Sequence, residues 1–203
     1  RCLMVDETGE EIDGDQVMAA CARVLQAEGK LNGNTMVGTV MSNMGLHIFA
    51  KENGMNLYCT PVGDRNVLEK MLEGDYVIGG EQSGHTIFRA YATTGDGQLT
   101  ALQFLQVFHR SGLKASELVA DCKRYPQVLI NLPVASKEKK EEIMAAQSLK
   151  DAVAAKEAEL NGTGRILVRP SGTEALLRVM VEAQTSEEAQ RCAEELAEVI
   201  KNL

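Results

Sequence analysis

Apolar and polar positions change period several times along the chain, and each change marks an element. Residues 2–5 alternate as a short strand, and DETGEEI (6–12) turns it back through Gly9. The acidic loop lacks the ligand spacing of a calcium loop, so the pattern predicts a hairpin. Asp13 and Gln16 form a capping-box pair ahead of a helix whose apolar stripe is Val17, Ala20, Cys21, Val24 and Leu25. After Gly33 the chain alternates strand (35–41), helix (about 43–53), strand (56–60), helix (about 64–73) and strand (76–80). Alternation at this spacing predicts a parallel sheet with crossover helices. A longer helix follows Asp96 and stops at Gly112, and a short one runs to Cys122.

The residue before a proline is biased out of helix, so Tyr125-Pro126 predicts a boundary between a domain at 1–122 and another at 126–203. Beyond it come a strand (127–133), a Lys/Glu-rich solvated helix and a second helix from about 148. Two strands then flank RPSGTEA, and a last helix places Ala189, Cys192, Ala193, Leu196, Val199 and Ile200 on one face. The fold class predicted is α/β, a sheet domain followed by a smaller α+β domain.

Composition narrows the function. Hydrophobic residues make up 44% and charged residues 25% of the 203 positions, near globular averages, and 4% aromatic with no Trp predicts an aliphatic core. A formal net charge of -8 argues against nucleic acid, whose backbone draws on a positive face, so any anionic ligand must meet local basic residues. No apolar run approaches the roughly 18 residues of a membrane span, and no signal pattern opens the chain, which makes the cytoplasm the expected location. The five cysteines (Cys2, Cys21, Cys59, Cys122, Cys192) lack C-x-x-C spacing and read as buried thiols. Because the chain starts at Arg1 and enters an apolar strand at once, it reads as a piece of something longer.

Two stretches carry chemistry. In RPSGTEALLR, alternation places Arg169 and Arg178 at the mouths of one loop holding Ser171, Gly172 and Thr173. Two guanidiniums, two hydroxyls and amides able to converge at Gly172 suit a phosphate, which takes charge-assisted bonds from Arg. GGEQSGH (79–85) ends a strand where ligands collect in open α/β sheets, and its glycines let Glu81, Ser83 and His85 project as readers of sugar hydroxyls. Either stretch has a plainer reading as a polar turn. Loops 38–45 and 61–65 also lie at strand ends, the latter giving Gly63, Asp64 and Arg65 as candidate rim residues, though Asp64 and Arg65 read equally as a solvated pair opening a helix. His47 and His109 sit inside helical patterns, and no metal-ligand cluster, Ser/His/Asp order or nucleotide loop is visible.

GGEQSGH, TTGDGQLTALQ and RPSGTEALLRVMVEA together resemble the α-D-phosphohexomutases, and Gln82 is closer to members acting on glucosamine phosphates than on mannose or glucose phosphates. The resemblance implies the third and fourth of four domains: a three-layer α/β domain with a sugar loop (Glu81, Ser83, His85), then a TATA-box-binding-protein-like domain with a phosphate loop (Arg169, Ser171, Gly172, Thr173, Arg178). It implies interconversion of glucosamine 6-phosphate and glucosamine 1-phosphate, a cell-wall precursor in bacteria, through a phosphoserine and a bisphosphate. The phosphoserine and the ligands of Mg2+ would lie in domains missing upstream, with Arg1 the last residue of the metal loop, and glucosamine 1,6-bisphosphate would be an activator. The piece alone would be inactive, and a homodimer of the longer protein stays open. Pro61, Asn66 and Ala175 depart from residues common in the family, and Pro61 puts a basic role for loop 61–65 in doubt. Glucose or mannose phosphates as substrates stay open, as does a non-catalytic phosphosugar-binding module.

Overall fold

A computed structural model describes residues 1–171 and 174–203. The chain divides into two compact units, Arg1–Arg124 and Tyr125–Leu203. The first begins with β1 (Met4–Val5) and β2 (Glu11–Ile12), paired antiparallel. The Asp6 carboxylate closes their turn by accepting from the backbone N–H groups of Thr8 and Glu10, and Gly9 takes the positive φ of +93° that the reversal needs. α1 (Gly14–Ala27) starts at the capping box: Asp13 Oδ1 accepts from the Gln16 amide at 3.1 Å, and Gln16 Oε1 accepts from the Asp13 amide at 3.2 Å.

There follow β3 (Thr35–Thr39), α2 (Met44–Glu52), β4 (Asn56–Thr60), α3 (Asp64–Glu73), β5 (Ile78–Gly80), β6 (Thr86–Phe88), α4 (Gly97–Ser111) and α5 (Ala115–Val119). β3 stops two residues before the strand pattern does. Thr39 Oγ1 accepts from the Met41 amide and the Thr39 carbonyl from the Ser42 amide, which turns the chain so that Asn43 caps α2.

The sheet order is β4-β3-β5-β6. β4, β3 and β5 are parallel, as the alternation predicted, but β6 runs antiparallel to β5 and makes the sheet mixed. Only three residues long, β6 has too little alternation to be read as a strand. Side chains alternate between two cores on opposite faces of the sheet. Met36, Ile78 and Phe88 pack with α1, α2 and α4 through Val17, Met18, Leu46, Phe49 and Phe104. Val37 and Ile87 pack with Val67 and Met71 of α3 on the other face. The result is a three-layer α/β/α unit, and β3, covered on both sides, is buried at every position.

The second unit is a smaller α+β domain: β7 (Gln127–Pro133), α6 (Lys137–Ala145), α7 (Gln147–Leu160), β8 (Arg165–Pro170), β9 (Leu176–Glu182) and α8 (Ser186–Lys201). Its antiparallel sheet has the order β7-β9-β8. One face carries Leu132, Ile166, Leu177, Val179 and Val181 into a core with Ala189, Cys192, Ala193, Leu196 and Ile200 of α8. Burying each such aliphatic side chain contributes about 1.5–3 kcal/mol.

The cysteines do not behave alike. Cys21, Cys122 and Cys192 are buried, but Cys2, just ahead of β1, and Cys59, on the edge strand β4, are only half-buried. Burial pushes the Cys21 thiol up to about 12 and raises those of Cys2, Cys122 and Cys192, so what sets Cys2 and Cys59 apart from the other three is access to solvent. Alkylation of the native chain at pH 7, followed by peptide mass mapping, is therefore expected to modify Cys2 and Cys59 and spare the other three until the chain is denatured.

Candidate functional site

In the first unit the loops after the parallel strands gather at one end of the sheet: 40–43 after β3, 61–63 after β4 and 81–85 after β5. Glu81 joins two of them. Its Oε1 accepts from the Gly63 amide at 3.0 Å, and its Oε2 lies 3.3 Å from Nδ1 of His85. The carboxylate, with a side chain only 12% exposed, is thus fixed by one backbone donor and one ring nitrogen. Gly95, from the TTGDG stretch, packs on the imidazole, since a Cβ there would stand 3.4 Å from His85 Cδ2. Asp96 then caps α4 by accepting from the amides of Gln98 and Leu99. Ser83 is exposed on the same loop. The structure therefore brings Glu81, His85 and Gly63 together and leaves the Ser83 hydroxyl to solvent.

The rim residues separate. Asp64 opens α3, where its Oδ1 accepts from the Arg65 amide, while the Arg65 side chain turns to Glu69 at 2.9 Å and is 87% exposed. Arg65 therefore pairs along its helix and not with Asp64. Loop 61–63 is held by Asn66, whose Nδ2 donates to the carbonyls of Val62 (2.9 Å) and Pro61 (3.4 Å). The Arg1 carbonyl lies against the start of α4, so close that a Cβ on Gly97 would stand 2.3 Å from it.

Loop 81–85 rests on α1. Gln82 Nε2 donates to Asp13 Oδ2 at 3.0 Å, and the Gly14 amide donates to the Gln82 carbonyl at 2.9 Å. The Gln82 side chain thus fastens the loop to the helix cap. On the loop's other side the Cys2 amide donates to the Gly84 carbonyl at 2.9 Å. The capping box was legible in the sequence, but its reach across 69 positions to Gln82 left no local signal.

In the second unit, Arg169 and Arg178 are direct cross-strand partners on β8 and β9, and Asn131 of β7 continues the row. Side chains opposite one another share a face of the sheet, so the two guanidinium stems rise side by side opposite the aliphatic core. Arg178 Nη2 meets Glu174 Oε2 at 3.0 Å, and its Nε is buried without a hydrogen-bond partner among the described residues. Burial, and then the charge of Arg178, lower the pKa of Arg169. Ser171 is buried, its amide bonded to the Leu176 carbonyl at 2.9 Å and its Oγ accepting from the Glu174 amide at 3.3 Å. Gly172 and Thr173 lie outside the described residues.

Two guanidiniums thus stand on one face of the sheet, one of them with a buried Nε that has no partner among the described residues. Among the described residues no group of three or more His, Cys, Asp or Glu is arranged to hold a metal ion. No described helix is long and apolar enough to cross a membrane.

Comparison with known proteins agrees with this architecture. Residues 13–125 match "Phosphoglucomutase/phosphomannomutase, alpha/beta/alpha domain III", and residues 129–199 match "Phosphoglucomutase/phosphomannomutase, C-terminal domain". The chain belongs to the phosphoglucomutase/phosphomannomutase family, the α-D-phosphohexomutases. Among its relatives, the phosphoglucosamine mutase of Caldicellulosiruptor saccharolyticus is 52% identical over 202 residues, covering 100% of this chain. That of Ligilactobacillus salivarius is 49% identical over 201 residues, or 99% of the chain. The chain spans 45% and 44% of these two relatives, a little under half of each. In fold it is similar to the Aspergillus fumigatus N-acetylphosphoglucosamine mutase solved with GlcNAc-6P and magnesium, with a TM-score of 0.77, 18% identity, and coverage of 98% of this chain and 46% of that one. It is also similar to an N-acetylglucosamine-phosphate mutase in its substrate complex, with a TM-score of 0.78, 21% identity, and coverage of 98% and 46%.

The contact between α1 and the loop is testable. A Cβ on Gly14 would stand 2.2 Å from the Glu81 carbonyl and 2.8 Å from the Gly84 amide. Gly14→Ala is expected to cost about 1–3 kcal/mol of stability, since the backbone must move to admit the methyl group. Backbone NMR should show the signals of residues 81–84 displaced, and unchanged positions would contradict the contact.

Proposed function

We propose that this chain is the substrate-recognition half of a phosphoglucosamine mutase. The loop carrying Glu81, Ser83 and His85 reads sugar hydroxyls, and the loop carrying Arg169, Ser171, Gly172, Thr173 and Arg178 grips the phosphate that is not reacting. The observation that carries this reading is the cross-strand placement of Arg169 and Arg178, with a buried Arg178 donor left without a partner among the described residues. Support comes also from relatives named phosphoglucosamine mutase that match the chain along its length.

In this reading, a phosphoserine of the longer protein passes its phosphoryl group to glucosamine 6-phosphate. The bisphosphate turns over and returns its other phosphoryl group to the serine, leaving glucosamine 1-phosphate. Neither the serine nor the magnesium ligands are among the residues assigned here, and glucosamine 1,6-bisphosphate would prime the longer enzyme. What this chain contributes is grip and orientation. A carboxylate held by Gly63 and His85 presents fixed acceptor oxygens to hydroxyls, and a phosphate anchored at the arginines aims the far end of the sugar at the nucleophile. A cytoplasmic location fits a reaction on soluble sugar phosphates.

The test is binding, which needs no nucleophile. Titrating glucosamine 6-phosphate into the chain is expected to shift the NMR signals of residues 171–174, while free glucosamine leaves them in place. Arg169→Ala removes a charge-assisted pair worth roughly 1.5–3 kcal/mol, so affinity should fall about ten- to a hundredfold. Phosphate monoesters lose their second proton near pH 6, so binding should tighten from about pH 5 to pH 8 as the dianion forms. A folded chain whose loop ignores millimolar sugar phosphate would overturn the reading. The chain alone, assayed with magnesium and bisphosphate, is expected to show no mutase turnover.

A further inference from the structure

Lys140 was not singled out by any motif, and no sequence signal ties it to the phosphate loop. It lies on α6, one turn before Ile143, whose buried side chain pins the helix to the aliphatic core. Lys140 Nζ donates to the Ser171 carbonyl at 2.8 Å and to the Glu174 carbonyl at 3.2 Å. One ammonium therefore spans the two ends of the segment that holds Gly172 and Thr173. Other bonds close the same neck: Ser171 N to Leu176 O, Glu174 N to Ser171 Oγ, and Leu176 N to Glu174 O.

An oxyanion site tolerates N–H donors and repels carbonyl oxygens, so where the carbonyls of such a loop go decides whether it can bind. We propose that Lys140 is a positioning residue of the phosphate loop, drawing the carbonyl oxygens of Ser171 and Glu174 onto a cation of α6 so that neither faces the anion. The inference rests on the reading of this loop as the phosphate anchor. Lys140 does not touch substrate in this account. Its charge is spent on two backbone oxygens, which separates its role from the direct grip of Arg169 and Arg178. Its neighbour Lys137, in the first turn of the same helix, is 80% exposed and lies 4.0 Å from Glu141, so it provides a control of equal charge.

The experiment compares the 203-residue chain with Lys140→Met, Lys140→Arg and Lys137→Met, measuring glucosamine 6-phosphate affinity, melting temperature and hydrogen exchange at the Ser171, Glu174 and Leu176 amides. Lys140→Met is expected to bind roughly tenfold more weakly and to exchange faster at those amides, with its melting temperature unchanged, as befits loss of local order in a neck of few bonds. Lys140→Arg, which keeps charge and donors, should recover most of the affinity, and Lys137→Met should match the wild type. Wild-type affinity in Lys140→Met overturns the inference while leaving the phosphate reading intact. An equal loss in Lys137→Met overturns it in favour of a general charge effect, and a loss that tracks a lower melting temperature overturns it in favour of a stabilising contact. A wild type that does not bind glucosamine 6-phosphate overturns the phosphate reading itself, and the inference with it.

Discussion

The pairing of Arg169 with Arg178 across β8 and β9 is the constraint on which the second unit's chemistry depends. Like charges directly opposite on a sheet repel, and the lowered pKa of Arg169 is that repulsion added to burial. The pair is held by the other face of the same strands. Leu177, Val179 and Val181 are fully buried, and a one-residue slip of β9 would turn all three away from the aliphatic core and aim Arg178 into it. The aliphatic core thus sets a register that places two cations side by side. In a chain of net charge -8 any attraction for an anion has to be built locally, and this register concentrates two cations in one place.

The first unit solves a different problem, holding a polar loop rigid at the end of a buried sheet. Its means are close backbone approaches. Gly14 lets α1 press on residues 81–84, and Gly84 lets β1's leading residues press from the other side, where a Cβ would meet the Cys2 carbonyl at 2.5 Å. Glu81, fixed by the Gly63 amide and by His85, spans the loops that follow β4 and β5. Oxygens that are already oriented in this way lose less freedom when a ligand binds. Asp13 serves two ends here, capping α1 and receiving Gln82, so helix start and loop form one hydrogen-bonded unit.

Much of this was legible in the sequence because it is local. Periodicity located β4 and α3 at their observed bounds, the Asp13–Gln16 box announced α1, and alternation around RPSGTEA put Arg169 and Arg178 on flanking strands. What stayed hidden is long-range or short. β6 is three residues long, so the sheet read as purely parallel. The bridge from Glu81 to Gly63 crosses 18 positions and that from Lys140 to Ser171 crosses 31, and neither pair has a spacing that a single sequence could reveal. Arg65 was an even choice between rim and helix pair, and the structure shows an i,i+4 partner in Glu69, an arrangement any helix offers. Met180 and Glu182 are buried on the face of β9 that also carries Arg178, Glu182 beside Arg165 at 3.3 Å.

The central claim, that two repelling arginines are kept for an anion, is tested most directly by melting the wild type and Arg169→Leu with and without inorganic phosphate. Without phosphate, the account predicts that the variant melts no lower than the wild type, because repulsion is relieved. With phosphate in excess, only the wild type should melt higher, by linkage to the bound anion. A variant that melts well below the wild type in phosphate-free buffer, or that gains as much from phosphate as the wild type does, would contradict the account.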